Sequence, residues 1–177
     1  MLPAYLNVPE SADTAKDALR YGEWGKPYLK SPLSDIYYSY SHSGTYQALI
    51  FAEFEVGLDI EDIMRQNARS GDRLIKIAKR YFTQDEREYM ALESNNNRLI
   101  NAFFRIWTGK ESYVKYTGMG FRQGFTKFSV LDPPEGAIIE MVDITGAPQI
   151  ACSIAYGRQA SPLPASADNV TIIYYDQ

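Results

Sequence analysis

Apolar positions between residues 46 and 109 recur at helical spacing, and each apolar stretch ends at a residue that suits a helix boundary. The first predicted helix runs from Tyr46 to Gly57, where glycine can adopt the left-handed conformation that ends a helix. Asp59 and Asp72 then suit the N-terminal caps of two further helices. The pattern therefore predicts a central helical segment.

A fourth helix is predicted to begin at the sequence TQDE, where Thr83 and Glu86 form a capping box, and to end at Trp107 before Gly109. The run ESNNNR lies inside this stretch, although asparagine side chains compete for the hydrogen bonds of a helix backbone. Two interpretations are open. Either the helix breaks at Asn95–Asn97, or it continues and presents amides to a partner.

Residues 112–176 change to a β pattern, with short runs of β-branched and aromatic residues bounded by glycine, proline or aspartate. The connections DPPEG and ITGAP are short, which favours antiparallel pairing of neighbouring strands. Helices followed by strands indicate the α+β class. We therefore predict a single α+β domain over residues 46–177, with helices at 46–109 and an antiparallel sheet at 112–176.

Residues 1–45 are rich in proline and aromatic side chains, and we predict an extended arm with one short helix over residues 10–22. The sequence DIYYSYSHSGTY at the end of this arm alternates as a strand with tyrosine on both faces. Tyrosine suits half-buried contact surfaces. These side chains therefore form a candidate subunit interface, although an edge strand covered within the fold is an alternative. The candidate residues are Trp24, Tyr28, Tyr37, Tyr38, Tyr40 and Tyr46.

A basic stripe follows the helical spacing in the second and third predicted helices. It consists of Arg65, Arg69, Arg73, Lys76 and Arg80. Such a stripe is able to bind phosphates or an acidic partner. A solvated helix face is the alternative, because acidic residues lie at the helix starts and cations toward the ends, as helix dipoles favour.

Composition narrows the classes of function. The net charge of −4 and the pI of about 5.1 argue against a nucleic-acid binder that relies on bulk electrostatics. No apolar run approaches the roughly 20 residues that span a bilayer, so no membrane insertion is expected. Cys152 is the single cysteine, which excludes an intramolecular disulfide and indicates a reducing compartment, cytoplasmic or within an assembled particle.

No catalytic constellation is apparent in the sequence. One cysteine and one histidine, His42, cannot form a Cys/His zinc site, and no phosphate-binding P-loop motif occurs. Glu53, Glu55, Glu61 and Asp62 fit no acid–base pair. We therefore assign no catalytic or metal-binding residue and expect no cofactor.

These observations lead to the hypothesis of a non-enzymatic structural or assembly subunit that works with other protein subunits as a homo- or hetero-oligomer. A phage or viral particle is one setting that would suit such a subunit. A small-ligand-binding domain with an apolar pocket between sheet and helices is one alternative. An adaptor or inhibitor that binds a protein partner is another.

Overall fold

The computed structural model describes residues 19–30, 33, 35–66, 71–159 and 170–174. The strands are β1 (Leu19–Tyr21), β2 (Pro27–Leu29), β3 (Tyr37–Ser43), β4 (Tyr46–Ala52), β5 (Val56–Asp62), β6 (Ala137–Met141), β7 (Ile150–Gly157) and β8 (Val170–Tyr174). The helices are α1 (Ile63–Gln66), α2 (Gly71–Tyr81), α3 (Gln84–Ala91) and α4 (Asn96–Thr117), followed by 3₁₀ turns at Gly120–Gln123 and Phe125–Lys127.

The strands form two three-stranded antiparallel sheets, ordered β3-β4-β8 and β5-β7-β6, and a separate β1-β2 hairpin. Helix α4 packs across β5 and β7. One apolar cluster lies between the helices and the β5-β7-β6 sheet, with Phe82, Phe103 and Ile106 at its centre. A second cluster joins the two sheets through residues such as Ile50 and Leu58. The predicted α+β class is confirmed.

The predicted helices over residues 46–62 are wrong, because this stretch forms β4 and β5. Gly44, at φ +64°, makes the tight turn that returns β3 into β4, so no helix begins after the tyrosine-rich strand. In β5 the residues from Val56 to Ile60 are all buried, since the strand is covered on both faces. Burial on both faces removes the contrast between faces that distinguishes a strand from a helix segment.

Gly57 is a strand residue and does not cap a helix. A Cβ at this position would lie 2.0 Å from the carbonyl oxygen of Ser112 and 2.4 Å from the amide nitrogen of Tyr116, both in α4. No side chain fits into that space. The glycine is therefore required for the close approach of α4 to β5.

The strands predicted at 112–118 and 125–131 are also wrong. Helix α4 continues to Thr117 and ends at Gly118, which adopts φ +67°. Gly109 lies inside the helix, where a Cβ would stand 3.1 Å from a methyl carbon of Val130. The second stretch contains the 3₁₀ turn Phe125–Lys127. Burial of the aromatic face of α4 overrides the β propensity of its last turns.

The predicted helix start at TQDE and the predicted helix break are both present. The N–H of Thr83 donates to Glu86 Oε2 at 2.9 Å, as a capping box requires. Helix α3 then ends, and Asn95 caps α4 by accepting a hydrogen bond from the backbone N–H of Arg98 at 2.9 Å. The interpretation of a break at Asn95–Asn97 is therefore confirmed.

The predicted arm is described only in part. Most of the predicted helix over 10–22 lies outside the described residues, and its described end, Leu19–Tyr21, is a strand. The predicted tyrosine-rich strand is confirmed as β3, and it pairs with β4 along its whole length. The division of the chain into an arm and one domain stays a prediction.

In the described ranges, no helix combines the length and the apolar character that crossing a membrane requires.

A buried ion pair joins α4 to α3. Lys110 Nζ lies 2.9 Å from Glu86 Oε2, and both side chains are 0% exposed. The same ammonium donates to the carbonyl oxygens of Phe125 at 2.7 Å and Phe128 at 2.8 Å. Burial lowers the pKa of Lys110, while the hydrogen bond and charge of Glu86 oppose this shift.

The Glu86 carboxylate also has several hydrogen-bond partners. Besides Lys110, it accepts hydrogen bonds from the backbone N–H groups of Thr83 and, at 2.8 Å, Val130. One buried pair therefore connects the start of α3, the middle of α4 and the chain that follows the 3₁₀ turns. A buried charge of this kind is tolerated because its hydrogen-bonding capacity is satisfied.

We predict that Lys110→Met lowers the free energy of unfolding by about 3–5 kcal/mol, because it leaves the Glu86 carboxylate buried without its counter-charge. Urea denaturation followed by circular dichroism measures the change. Lys76→Met, at an exposed position on α2, serves as the control and changes the stability by less than about 0.5 kcal/mol. Equal stability of the two variants would contradict the prediction.

Candidate active site

Two carboxylates occupy alternate positions of β5. Asp59 and Glu61 project from the same face as Gly57, toward α4, because successive side chains of a strand alternate between faces. Asp59 is 7% exposed. The side chains of Leu58 and Ile60 point the other way, into the cluster between the sheets. The sequence therefore places polar groups against the helix and apolar groups in the core.

Helix α4 brings two further charges to the same place. Glu111 and Lys115 are four residues apart and lie on one side of the helix. Lys115 Nζ lies 2.7 Å from Asp59 Oδ1 and donates to the carbonyl oxygen of Leu58 at 3.0 Å. The close approach of the two elements at Gly57 makes this contact possible.

The pKa values show that the three carboxylates share one electrostatic environment. Burial, followed by the charge of Asp59, raises the pKa of Glu111 to about 7, with Glu61 adding to the shift and Lys115 opposing it. Burial also raises the pKa of Asp59, against the opposing charge and hydrogen bond of Lys115. The charges of Asp59 and Glu61 help to raise the pKa of Glu111 even though Lys115 opposes the shift, so this site favours a bound cation or proton.

Asp59, Glu61 and Glu111 are the residues of this site that could hold a metal ion through their carboxylate oxygens, since hard divalent cations prefer such ligands. Within the described ranges, however, no three His, Cys, Asp or Glu side chains stand close enough together to coordinate one as they are placed.

A cleft of about 360 Å³ opens beside these charges. Trp24, Tyr38 and Tyr40 contribute aromatic surface to its lining, and Glu111 and Lys115 contribute charged groups. Further lining residues are Gly25, Lys26, Pro27, Ser39, Val114, Gly118 and Gly120. Half of the candidate interface residues therefore lie at this cleft, next to the carboxylates.

The other candidate interface residues lie outside the cleft lining. Tyr46 is partly buried, and its hydroxyl oxygen accepts a hydrogen bond from Gln149 Nε2 at 2.6 Å. The ring of Tyr28 faces Arg20, whose guanidinium carbon is 5.1 Å from the ring centre. Tyr37 packs against the cluster between the sheets. A role for the six aromatic residues in subunit contacts stays a prediction.

The basic stripe does not meet the cleft in the described part of the chain. Arg65, Arg73, Lys76 and Arg80 are exposed on α1 and α2, whereas Arg69 lies outside the described residues. The guanidinium carbon of Arg80 stands 5.2 Å from the centre of the Tyr81 ring, as expected for a helix-surface contact. A binding role for the stripe stays a prediction.

Sequence reasoning did not identify this site. Asp59 was interpreted as a helix cap, Glu61 was assigned to no acid–base pair, and neither Glu111 nor Lys115 was considered. The available signal was the alternation of apolar and polar residues in VGLDIED, which places Asp59 and Glu61 on one face of a strand.

Cys152 lies on β7, and burial raises the pKa of its thiol to about 12, so it stays protonated at neutral pH.

Comparisons with known proteins agree on one family. The ACPS family, described as the 4'-phosphopantetheinyl transferase superfamily, matches residues 55–161, which include all three carboxylates and Lys115. The 4'-phosphopantetheinyl transferase gsp of Aneurinibacillus migulanus is 35% identical over 116 residues, covering 65% of this chain and 42% of that protein. The 4'-phosphopantetheinyl transferase Sfp of Bacillus subtilis strain 168 is 30% identical over 122 residues, covering 68% and 50%.

A shorter match is closer in sequence. The 4'-phosphopantetheinyl transferase AcpT of Salmonella typhi is 41% identical over 100 residues, covering 55% of this chain and 48% of that protein. The chain thus spans about half the length of the curated relatives it matches.

These matches overturn the hypothesis of a non-enzymatic structural or assembly subunit, and with it the suggested phage or viral setting. The physical reason for the error is that the charged residues of the site come from separate elements, so no local motif revealed them. The family profile covers more than half of the sequence. This chain belongs to the 4'-phosphopantetheinyl transferase superfamily.

Proposed function

We propose that the contact between β5 and α4 forms the centre at which this protein transfers a 4'-phosphopantetheinyl group. The observation that carries the proposal is the meeting of Asp59, Glu61 and Glu111 with Lys115 inside the matched region, where Glu111 and Lys115 also line a cleft. Transfer of such a group is a substitution at phosphorus, which requires neutralisation of phosphate charge and removal of a proton from the nucleophile.

The three carboxylates suit a divalent cation such as Mg²⁺, because they are hard oxygen ligands and the charges of Asp59 and Glu61 help to raise the pKa of Glu111. Asp59, Glu61 and Glu111 are the residues that would hold it. When bound, the ion would supply positive charge that neutralises the phosphates of the donor. Lys115 supplies a fixed positive charge at the same place, through its contact with Asp59.

Glu111 is the residue best suited to accept the proton. In the metal-free chain its pKa is about 7, so roughly half of the carboxyl groups are ionised at neutral pH and are basic enough to act as a general base. In the proposed step, an acceptor hydroxyl oxygen forms a bond to the phosphorus of the 4'-phosphate while its proton moves to Glu111. The bond from that phosphorus to the oxygen of the leaving phosphate breaks and carries away the electron pair.

The cleft offers a place for the pantetheine part of the donor. Behind its phosphate, 4'-phosphopantetheine is a chain of apolar segments and amides. Trp24, Tyr38 and Tyr40 provide flat apolar surfaces, while Lys115 in the same lining would attract the phosphate. A donor held in this way would present its phosphorus to the carboxylates.

We expect the chain to bind coenzyme A, in which 4'-phosphopantetheine forms one side of a pyrophosphate, in a manner that depends on Mg²⁺. Isothermal titration calorimetry in MgCl₂ and in EDTA measures this dependence. Asp59→Asn should weaken binding in MgCl₂ by about 10-fold or more, since it removes a charged ligand. Asp132→Asn, at an exposed position, is the control. Binding that is equally strong in EDTA would contradict the proposal.

We predict that Glu111→Gln raises the melting temperature of the metal-free protein at pH 8. The pKa of Glu111 rises from its ordinary 4.5 to about 7 on folding, so the folded protein binds this proton more tightly. Wild-type stability therefore falls as pH increases between these two values, and the amide variant escapes this loss. A gain of roughly 3 °C or more is expected at pH 8.

Differential scanning calorimetry from pH 4.5 to pH 8 in EDTA tests this prediction. Glu135→Gln, at an exposed position, is the matched control and should follow the wild-type profile. If Glu111→Gln also followed the wild-type profile, Glu111 would not share the charge environment described above.

We predict that Tyr40→Ala raises the Kd for coenzyme A by roughly 5- to 10-fold, or about 1–1.4 kcal/mol, because it removes apolar surface from the cleft. The Kd for Mg²⁺ alone should not change. Tyr40 is 44% exposed, so its loss has little effect on the fold. The control is Tyr89→Ala, at a similarly exposed position on α3. An equal effect of both variants would place the donor elsewhere.

A further inference from the structure

Strand β5 lies at the edge of its sheet, and its outward N–H groups are bound by side chains of β3 in place of backbone carbonyls. Every second N–H along β5 donates to a serine hydroxyl oxygen. The bonds are Leu58 N to Ser39 Oγ at 2.9 Å, Ile60 N to Ser41 Oγ at 3.2 Å and Asp62 N to Ser43 Oγ at 2.9 Å. The residue numbers rise together, so β3 and β5 run parallel along this serine ladder.

Two of the three hydroxyl groups also bind the proposed cation ligands. Ser41 Oγ donates to Asp59 Oδ1 at 2.8 Å, and Ser43 Oγ donates to Glu61 Oε2 at 2.7 Å. Each oxygen already accepts a backbone N–H, which leaves the hydroxyl proton directed at the carboxylate. All three serines are buried, at 5–7% exposure, so water competes little for these bonds.

Ser39 provides an internal comparison. It makes the same backbone contact and has the same burial, but in the described part of the chain no hydrogen bond joins it to a carboxylate. Its role is confined to joining the two sheets. The ladder therefore separates two contributions that usually occur together, namely support of the strand and orientation of its acidic side chains.

We infer that Ser41 and Ser43 are positioning residues that hold the carboxylates of Asp59 and Glu61 ready for a hard divalent cation. This inference rests on the proposed function of the same site. Their hydroxyl groups fix the carboxylate rotamers in advance, so fewer conformations are lost when the cation binds. Groups that orient metal ligands in this way typically contribute about 10- to 100-fold to metal affinity.

The arrangement also explains how a buried acidic strand is tolerated at a sheet edge. Serine oxygens accept hydrogen bonds from three outward N–H groups, and lysines donate to two outward carbonyl groups. Lys115 donates to Leu58 O at 3.0 Å and Lys26 donates to Val56 O at 3.3 Å. If a neighbouring strand were paired with β5 through its backbone instead, its N–H groups would bind the carbonyl groups of β5. That strand would then have no proton to donate to Asp59 or Glu61. Serine supplies both an acceptor for the strand and a donor for the carboxylate.

Titration of the metal-free chain with MgCl₂ by isothermal titration calorimetry tests the inference. Ser41→Ala and Ser43→Ala should each raise the Kd for Mg²⁺ by about 10-fold or more. Ser39→Ala should lower the melting temperature by a similar amount but leave the Kd within about 2-fold of wild type. Ser41→Thr retains a hydroxyl group and should restore most of the affinity lost in Ser41→Ala.

The outcomes separate this inference from the proposed function. A wild-type chain that binds no Mg²⁺ overturns both. A wild-type chain that binds Mg²⁺ with an unchanged Kd in Ser41→Ala and Ser43→Ala overturns the role of the serines alone, as does an equal loss of affinity in Ser39→Ala. If Ser41→Ala does not fold, Ser43→Ala decides, because Ser43 lies at the end of β3 beside the turn.

Discussion

The distance between β5 and α4 is the constraint on which the site depends. The absence of a side chain at Gly57 lets the backbone of α4 lie directly against the strand, at Ser112 and Tyr116. A larger residue would push the helix outward and carry Glu111 away from the carboxylates of β5. Because side chains on a strand alternate, the face that begins with this glycine continues with Asp59 and Glu61. One missing Cβ thus brings together charged groups that lie about 50 residues apart in the chain.

The site combines charges that the fold neutralises with charges that it leaves uncompensated. Lys115 and a serine hydroxyl act on Asp59, whereas the pKa of Glu111 is raised by its buried surroundings and its acidic neighbours. Such an arrangement costs stability in the absence of a ligand, and functional sites commonly have this property. In this chain the destabilising charges lie where strand β5 contacts helix α4. A small loop movement would therefore not separate them.

Local signals in the sequence were sufficient for some elements and not for others. The capping box at Thr83, the break at Asn95 and the antiparallel strands after residue 136 follow from nearby residues alone. β4 and β5 were assigned to helices because Gly57 and Asp59 resemble helix boundaries in isolation. What decides their structure is burial between a helix and a second sheet, and that burial comes from residues distant in the chain.

The site itself was the part least accessible to sequence reasoning. Alternation in VGLDIED was enough to place two carboxylates on one face, but nothing near Glu111 indicates which strand it meets. The raised pKa of Glu111 arises from the folded structure, since its causes are burial and charges on another element. The class of the fold therefore followed from composition and pattern, whereas the chemistry required the packing of α4.

The buried pair of Lys110 and Glu86 has a consequence for orientation as well as for stability. Consecutive residues of a helix point about 100° apart, so fixing the direction of Lys110 also fixes that of Glu111. The ammonium group has three buried acceptors on other segments, and rotation of α4 about its axis would break all of them. The pair therefore acts as a rotational lock on α4. The buried charge of Lys110 fixes the direction in which the charge of Glu111 points.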